Sequence, residues 1–180
     1  MKLMMPSQDK SGILNRPSRR VAFCAVLATL SMLLSYVDSL IPVLPQIPGI
    51  KIGLANIVIL AALYSLQGRY ALMINIVRIL LTGLLFTGVT GMLYSLSGAL
   101  LSFLVMYLLK KSGLFSIIGV SLAGGAAHNT GQLLVAILLV SNPRLLYYLP
   151  VLMISGILTG TLMGMISHIL IRRLKKISST

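Results

Sequence analysis

Long apolar runs separated by short polar breaks dominate the chain, and their lengths predict membrane-spanning helices. A helix needs about 20 predominantly apolar residues to cross the roughly 30 Å hydrocarbon core of a bilayer. Several runs approach that length, and a shorter second run needs its flanks to reach across. The predicted helices cover residues 21–41, 52–67, 70–88, 89–109, 114–140 and 145–171.

Proline and glycine mark the breaks in this pattern. Residues 41–51 contain three prolines, each of which fixes φ and removes a backbone donor. We expect a stiff loop there that caps a pocket and gates it from outside. Gly124 and Gly125 are expected to interrupt the fifth helix, and residues 141–144 to form the turn that follows it.

Composition identifies a polytopic membrane protein. The chain is 57% hydrophobic with a mean hydropathy of +1.00, and only 9% of its residues are charged, against about 25% in a soluble domain. Residues 1–20 are predicted to be a basic tail, 21–172 a transmembrane domain and 173–180 a second basic tail. The net charge of +13 does not predict nucleic-acid binding, because the basic residues lie at the ends of apolar runs.

The distribution of lysine and arginine predicts orientation. If the N-terminus is inside, all but three of the 15 basic residues lie in cytoplasmic segments, and the exceptions are Lys51, Arg78 and Arg144. Cytoplasmic segments of membrane proteins carry this excess of positive charge. We therefore predict a multi-pass protein of the cell membrane with six spans and both termini in the cytoplasm.

Small residues form stripes that suit close helix contacts. Gly156, Gly160 and Gly164 recur at steps of four, which places them along one face of the sixth helix. The first helix carries an alanine face on which a partner membrane subunit could dock, made of Ala22, Ala25 and Ala28. Packing within the bundle is the alternative interpretation of such stripes.

Polar residues inside two apolar runs form the candidate site. Asn75, Arg78 and Thr82 lie at i, i+3 and i+7 on the third helix. His128 and Gln132 share a face of the fifth helix, with Asn129 beside it. At about 1.5 Å of rise per residue, these groups lie at similar depths. The predicted substrate-binding residues are Lys51, Asn56, Asn75, Arg78, His128, Asn129 and Gln132.

The charge of Arg78 predicts the kind of ligand. An arginine near the centre of a spanning helix costs roughly 2.5–3.5 kcal/mol, so it needs a partner. The chain has two acids, Asp9 in the tail and Asp38, which we expect about 12 Å outward of Arg78 from the helical rise. An anionic or polar small molecule is the predicted partner. Alternatively, Arg78 bonds carbonyls, water or Asp38, and the other polar residues link helices.

The residues give little indication of a disulfide, a metal site or catalysis. The single cysteine, Cys24, excludes an internal disulfide and offers no zinc site. No metal or cofactor is predicted. An intramembrane enzyme that uses His128 is a third hypothesis, although no carboxylate stands beside it to orient or activate it. The sequence has no Gly-x-x-x-x-Gly-Lys-Ser/Thr phosphate-binding loop, so we do not expect this chain to hydrolyse ATP.

Three segments carry a family resemblance. They are 51–56 (KIGLAN), Arg78 with Gly83, and 124–132 (GGAAHNTGQ). The region 20–172 resembles the Gx transporter family, whose members are often labelled heptaprenyl diphosphate synthase component I. That family is similar to the substrate-binding S components of energy-coupling-factor transporters. The resemblance implies six helices, cytoplasmic termini and a substrate held near the outer face.

The resemblance also implies partners and function. It predicts a substrate-binding protein for uptake of a small molecule, working with a transmembrane coupling subunit, which would meet the helix-1 alanines, and with ATPase subunits. An ion gradient is the alternative energy source. The synthase label suggests instead a non-catalytic membrane accessory to isoprenoid or quinone synthesis. Two isolated aspartates cannot build the magnesium site that holds diphosphate in prenyl-chain synthases, so we predict that the chain is not itself an enzyme.

Overall fold

The computed structural model describes residues 17–41 and 52–178, with side chains described as far as Arg173. Within these ranges the chain is helical and contains no strand, so the predicted all-α class is confirmed. Six α-helices follow one another: α1 (Pro17–Leu40), α2 (Ala55–Ser65), α3 (Gly68–Thr82), α4 (Gly88–Ser112), α5 (Ile117–Val140) and α6 (Leu149–Ser178). A π-helical segment (Gly83–Thr87) joins α3 to α4, and a 3-10 segment (Pro143–Tyr148) precedes α6.

Four helical stretches are long and apolar enough to cross a membrane. They are Pro17–Leu40, Gly68–Ser112, Ile117–Val140 and Pro143–Arg173, whereas the apolar α2 is shorter. Large apolar side chains such as Leu84, Leu138 and Leu158 point outward from these stretches. Outward apolar faces suit lipid, and the multi-pass membrane class that composition predicted is confirmed.

The second long stretch is a hairpin, because the chain reverses direction at Gly88. The backbone of Gly88 has a φ of +70°, a left-handed value that favours glycine. A Cβ added to Gly83 would lie 2.7 Å from Cβ of Met92, and one added to Gly68 would lie 2.6 Å from the Tyr107 ring. The start of α3 therefore meets the later part of α4, and the π-helical segment after α3 meets the first turns of α4. The two helices run antiparallel.

Side-chain contacts give the directions of the other helices. Arg20 bonds Tyr70 and Ser35 bonds Arg78, so α1 and α3 run parallel. Gly131 approaches Ser97 and Gly124 approaches Met106, so α5 runs antiparallel to α4. Gly156 approaches Gly125 and Gly160 approaches Ser121, so α5 also runs antiparallel to α6. One end of the bundle, hereafter the basic end, therefore collects most of the described cations: Arg19, Arg20, Arg69, Lys110, Lys111, Arg172 and Arg173.

Helix α2 occupies the centre of the bundle. Its residues Val58–Leu63 are at most 4% exposed, which is typical of a helix that is apolar on every side. The ammonium group of Lys110 on α4 donates a hydrogen bond to the carbonyl oxygen of Leu63 near the end of α2. The predicted helix over 52–67 is too long at both ends, because Gly53 has a φ of +80° and Leu66 is extended.

Glycines hold α5 tightly between α4 and α6. A Cβ on Gly124 would lie 2.6 Å from the Met106 side chain of α4, and one on Gly156 would lie 2.6 Å from the carbonyl oxygen of Gly125. The predicted interruption of α5 at Gly124 and Gly125 is wrong, since the helix is continuous and both glycines serve close packing. The α6 stripe of Gly156, Gly160 and Gly164 packs against α5, which confirms packing within the bundle for that stripe.

Several predicted helix boundaries also differ from the observed ones. Helix α1 includes Pro17–Arg20, which were predicted to belong to the tail. Helix α4 continues to Ser112 and ends at the left-handed Gly113. The sixth helix begins at Leu149 because Pro143–Tyr148 forms a 3-10 turn first, and it continues to Ser178 into the predicted tail 173–180. The predicted loop 41–51 lies outside the described residues after Ile41.

The α5–α6 contact predicts the effect of adding one methyl group. Gly125→Ala would drive its Cβ into the carbonyl oxygen of Gly156, a backbone atom that cannot move aside. We expect a loss of about 1–3 kcal/mol of stability, the usual cost of overpacking, seen as a lower thermal midpoint in detergent. Gly119→Ala is the matched control, because its Cβ would meet nothing closer than Ser116 Oγ at 3.6 Å. Equal midpoints for the two variants would contradict this packing.

Candidate functional site

The guanidinium of Arg78 is the centre of the polar interior. Its Nη1 donates to Ser35 Oγ at 2.8 Å and its Nη2 donates to Asn75 Oδ1 at 2.7 Å. One of these oxygens comes from α1 and the other lies one turn earlier on α3. Both oxygens are neutral, so these two contacts orient the guanidinium. The Asp38 carboxylate interacts electrostatically with it, which supports the alternative in which Asp38 partly balances the charge of Arg78.

Two polar atoms on this face of α3 remain without a hydrogen bond. Nε of Arg78 and Oγ1 of Thr82 are fully buried, and neither has a partner among the described residues. Buried polar groups in native proteins are almost always hydrogen-bonded, and leaving one unsatisfied costs about 1–3 kcal/mol, more when it is charged. Three other buried atoms of the described residues also lack partners, namely Ser102 Oγ, Ser121 Oγ and His168 Nδ1, so an unpartnered atom does not mark a site by itself. Arg78 and Thr82 differ from these residues because both line a cavity.

A cavity of about 90 Å³ lies beside these atoms. Each of the six helices contributes to its wall, so it occupies the middle of the bundle and extends toward the end opposite the basic end. Its polar lining consists of Ser35, Asp38, Asn56, Arg78, Thr82, Thr87, Ser95, His128, Asn129, Gln132 and Thr159. The predicted convergence of Asn56, Arg78, His128, Asn129 and Gln132 on one cavity is observed.

Asp38 lies in the wall of the same cavity as Arg78 and interacts electrostatically with its guanidinium. It is 7% exposed, and its carboxylate accepts hydrogen bonds from the backbone N–H groups of Ile52 and Gly53, each at 3.0 Å. Ser35 lies one turn before Asp38 on α1 and accepts from Arg78, so the long Arg78 side chain reaches toward the Asp38 end of α1. The Asp38 carboxylate joins the end of α1 to the entry of α2.

A glycine on α4 gives the two long polar side chains of α5 their space. A Cβ on Gly98 would lie 2.7 Å from Cγ of Gln132 and 3.1 Å from Cε1 of His128. Both side chains are half-buried and face the cavity. The absence of a side chain at Gly98 therefore allows an imidazole and an amide to share the wall opposite Arg78.

Asn129 also links two helices. Its Nδ2 donates to the carbonyl oxygen of Leu152 at 2.7 Å and to Ser155 Oγ at 3.1 Å. Both amide hydrogens are thus used within the protein, and a side-chain amide has only two. The interpretation of polar residues as links between helices holds for this amide group, and only its oxygen is left to meet a guest.

The remaining predicted residues occupy different places. Asn75 is 4% exposed and orients Arg78 from behind. Lys51 lies outside the described residues. On α1, Ala22 and Ala25 are exposed whereas Ala28 is buried in the core, so the three alanines do not share one exposed face.

Sequence reasoning missed the hydroxyl groups of the site. Ser35, Thr87, Ser95 and Thr159 line the cavity. Serine and threonine in spanning helices commonly bond their own backbone, as Thr159 does to the carbonyl oxygen of Ser155 at 2.9 Å. Their presence in a helix therefore carries no signal of a site until the neighbouring helices are known. Among the described residues, no cluster of three His, Cys, Asp or Glu side chains could hold a metal ion.

Asn129→Leu tests the structural role of this residue. The substitution removes both links between Asn129 and α6, and only Ser155 Oγ still donates a side-chain hydrogen bond to the Leu152 carbonyl oxygen. We expect a loss of about 1–3 kcal/mol, measured as a lower thermal midpoint in detergent. Ser155→Ala removes only one of the two links and should lower the midpoint less. A midpoint for Asn129→Leu above that of Ser155→Ala would show that the links contribute little.

A comparison with known proteins places the chain in a family. No curated protein and no solved structure matches it. The model of one family, described as heptaprenyl diphosphate synthase component I, matches residues 27–170, a range that contains every described polar residue of the cavity wall. Because the match covers about four fifths of the sequence, the chain belongs to the heptaprenyl diphosphate synthase component I family.

Proposed function

We propose that this chain is a membrane-embedded binding protein that captures a small anionic or polar molecule in the cavity beside Arg78. The observation that carries the proposal is the guanidinium of Arg78, which lines a cavity shared with other polar side chains and whose Nε has no hydrogen-bond partner among the residues that the structure describes. A guanidinium donates up to five hydrogen bonds and accepts none. The missing partner is therefore an acceptor, and a carboxylate or phosphate suits the planar donor group best.

The bundle gives this molecule a direction of entry. The six α-helices alternate in direction, which is consistent with six spans, although α2 at about 1.5 Å per residue covers only about half of the hydrocarbon core. Cytoplasmic ends of membrane proteins carry excess positive charge, so the basic end faces the cytoplasm and both termini lie there. The cavity extends toward the opposite end, and the molecule enters from outside.

Uptake would follow the arrangement of an energy-coupling-factor S component. The chain would supply the substrate site, and a coupling subunit with ATPase subunits would supply the energy. The exposed Ala22 and Ala25 near the basic end of α1 offer small side chains for close contact with a membrane subunit. Ala28 takes no part in this contact, because it is buried in the chain's own core.

The name of the family favours a second candidate, a non-catalytic accessory in prenyl diphosphate synthesis. The cavity favours the first, because Arg78, His128 and Gln132 line it, and an apolar prenyl chain would offer such polar groups no hydrogen-bond partners. Asp38 is the one acid in the described residues, and its carboxylate binds backbone N–H groups. Copurification separates the candidates: ATPase subunits retained with the chain support uptake, and a soluble prenyl synthase supports the accessory role.

Arg78→Gln tests the binding site directly. Losing a charge-assisted hydrogen bond costs about 1.5–3 kcal/mol, so we expect retention of the bound molecule to fall about 10- to 100-fold. Native mass spectrometry of the purified protein measures the retained mass. Arg144→Gln is the control, since Arg144 is exposed and lies outside the cavity.

A folded Arg78→Gln protein that retains the same molecule as the wild type would refute the site. Arg78→Lys covers the case in which Arg78→Gln fails to fold. It keeps the charge but loses the planar fork of donors. We expect it to fold and to retain the molecule more weakly than the Arg144→Gln control.

A further inference from the structure

We infer that Arg78, Thr82 and the π-helical segment Gly83–Thr87 form a subsite for one oxyanion group, a carboxylate or a phosphoryl group. This inference rests on the proposed function and specifies which part of the ligand α3 recognises. Three observations support it: the change of helical register at Gly83, the two unpartnered atoms beside the cavity, and the presence of Thr87 in the cavity wall.

The π-helical register brings Thr87 to the same face as Thr82. In an α-helix of 3.6 residues per turn, residues four apart share a face, as Arg78 and Thr82 do. Residues five apart point about 140° away from each other in that geometry. The i to i+5 bonding of a π-helix returns the fifth residue to the same side. Both threonines accordingly line the cavity.

The residues around Gly83–Thr87 are compatible with a π-helical segment at this position. Leu84, Leu85 and Phe86 are 46–76% exposed on the outside of the bundle, and Phe86 packs against the Tyr36 ring of α1 with the ring centroids 4.6 Å apart. Gly83 is buried and sits against Met92, where a Cβ would lie 2.7 Å away. Single π-helical turns are rare and are frequent at functional sites. Here the extra residue serves the wall of the cavity.

The donors of these three residues specify the chemistry of the group they bind. Arg78 Nε–H can only donate, and each threonine hydroxyl can donate to a guest oxygen. Three donors on one face suit a group with two or three oxygens and a negative charge. Asp38 lines the same cavity from α1, where its carboxylate accepts from Ile52 and Gly53 and also interacts electrostatically with Arg78. The side of the cavity formed by α3 is therefore the side for an oxyanion.

Small anions test the subsite before the natural ligand is known. The purified full chain in detergent is titrated with sodium acetate, sodium phosphate, sodium diphosphate and sodium chloride at equal ionic strength, and the thermal midpoint is recorded. We expect an oxyanion, but not chloride, to raise the midpoint with saturation. A response to acetate alone identifies a carboxylate site, and a response to phosphate or diphosphate identifies a phosphoryl site. No response to any oxyanion would overturn the subsite.

Threonine variants separate this inference from the proposed function. Thr82→Val and Thr87→Val keep the shape and remove one donor each, so we expect the apparent affinity for the active anion to fall about tenfold. Thr90→Val is the control, since Thr90 is exposed on α4 and does not line the cavity. Thr87→Ser keeps the hydroxyl and should bind like the wild type.

Equal affinities for Thr87→Val and Thr90→Val would refute the role of the π-helical segment. The proposed function would survive that result if Arg78→Gln still lost the retained molecule, and it would fail with the subsite if Arg78→Gln bound normally.

Discussion

A guanidinium inside hydrocarbon must find its solvation within the protein, and that constraint explains the arrangement of this bundle. Hydrocarbon offers no hydrogen bonds, and a central arginine costs roughly 2.5–3.5 kcal/mol without help. Ser35 on α1 and Asn75 on α3 bind two nitrogens of Arg78. The third nitrogen has no hydrogen-bond partner in the described part of the chain, and the Asp38 carboxylate interacts electrostatically with the group. Partial satisfaction of this kind holds the group in place and keeps it available to a guest.

The rest of the bundle holds the cavity open around that nitrogen. Helix α2 fills the centre with apolar side chains up to the level of Asn56, where the cavity begins. Helices α4, α5 and α6 pack closely through Gly98, Gly124 and Gly156. Their close packing places His128 and Gln132 across the cavity from α3. A rigid wall opposite a fixed cation favours recognition of a small molecule over the accommodation of a long flexible chain.

The sequence predicted the polar faces well because helical periodicity is local. Residues at i, i+3 and i+4 share a face whatever surrounds them, so the stripe on α3 and the stripe on α5 followed from spacing alone. Helical spacing also led to the prediction that Arg78 lines a cavity. These predictions needed only the assumption that apolar runs in this chain are helices, which the structure confirms.

Features that depend on how helices lie against each other could not be read from spacing. The position of Asp38 relative to Arg78 depends on the shift between α1 and α3. Gly124 and Gly125 were predicted to interrupt the helix because their neighbours on α4 and α6 were unknown. The hydroxyls of Ser95 and Thr159 gave no signal for the same reason. The π-helical turn at Gly83–Thr87 also escaped prediction, since no residue in it demands that register on its own.

An experimental structure of the purified protein, resolved well enough to show bound molecules, tests the central claim most directly. The account predicts density that belongs to no protein residue in the cavity between α3 and α5, with an oxygen-bearing group within hydrogen-bond reach of Arg78 Nε. A cavity that has collapsed, with Nε bound to an oxygen of the protein itself, would contradict it.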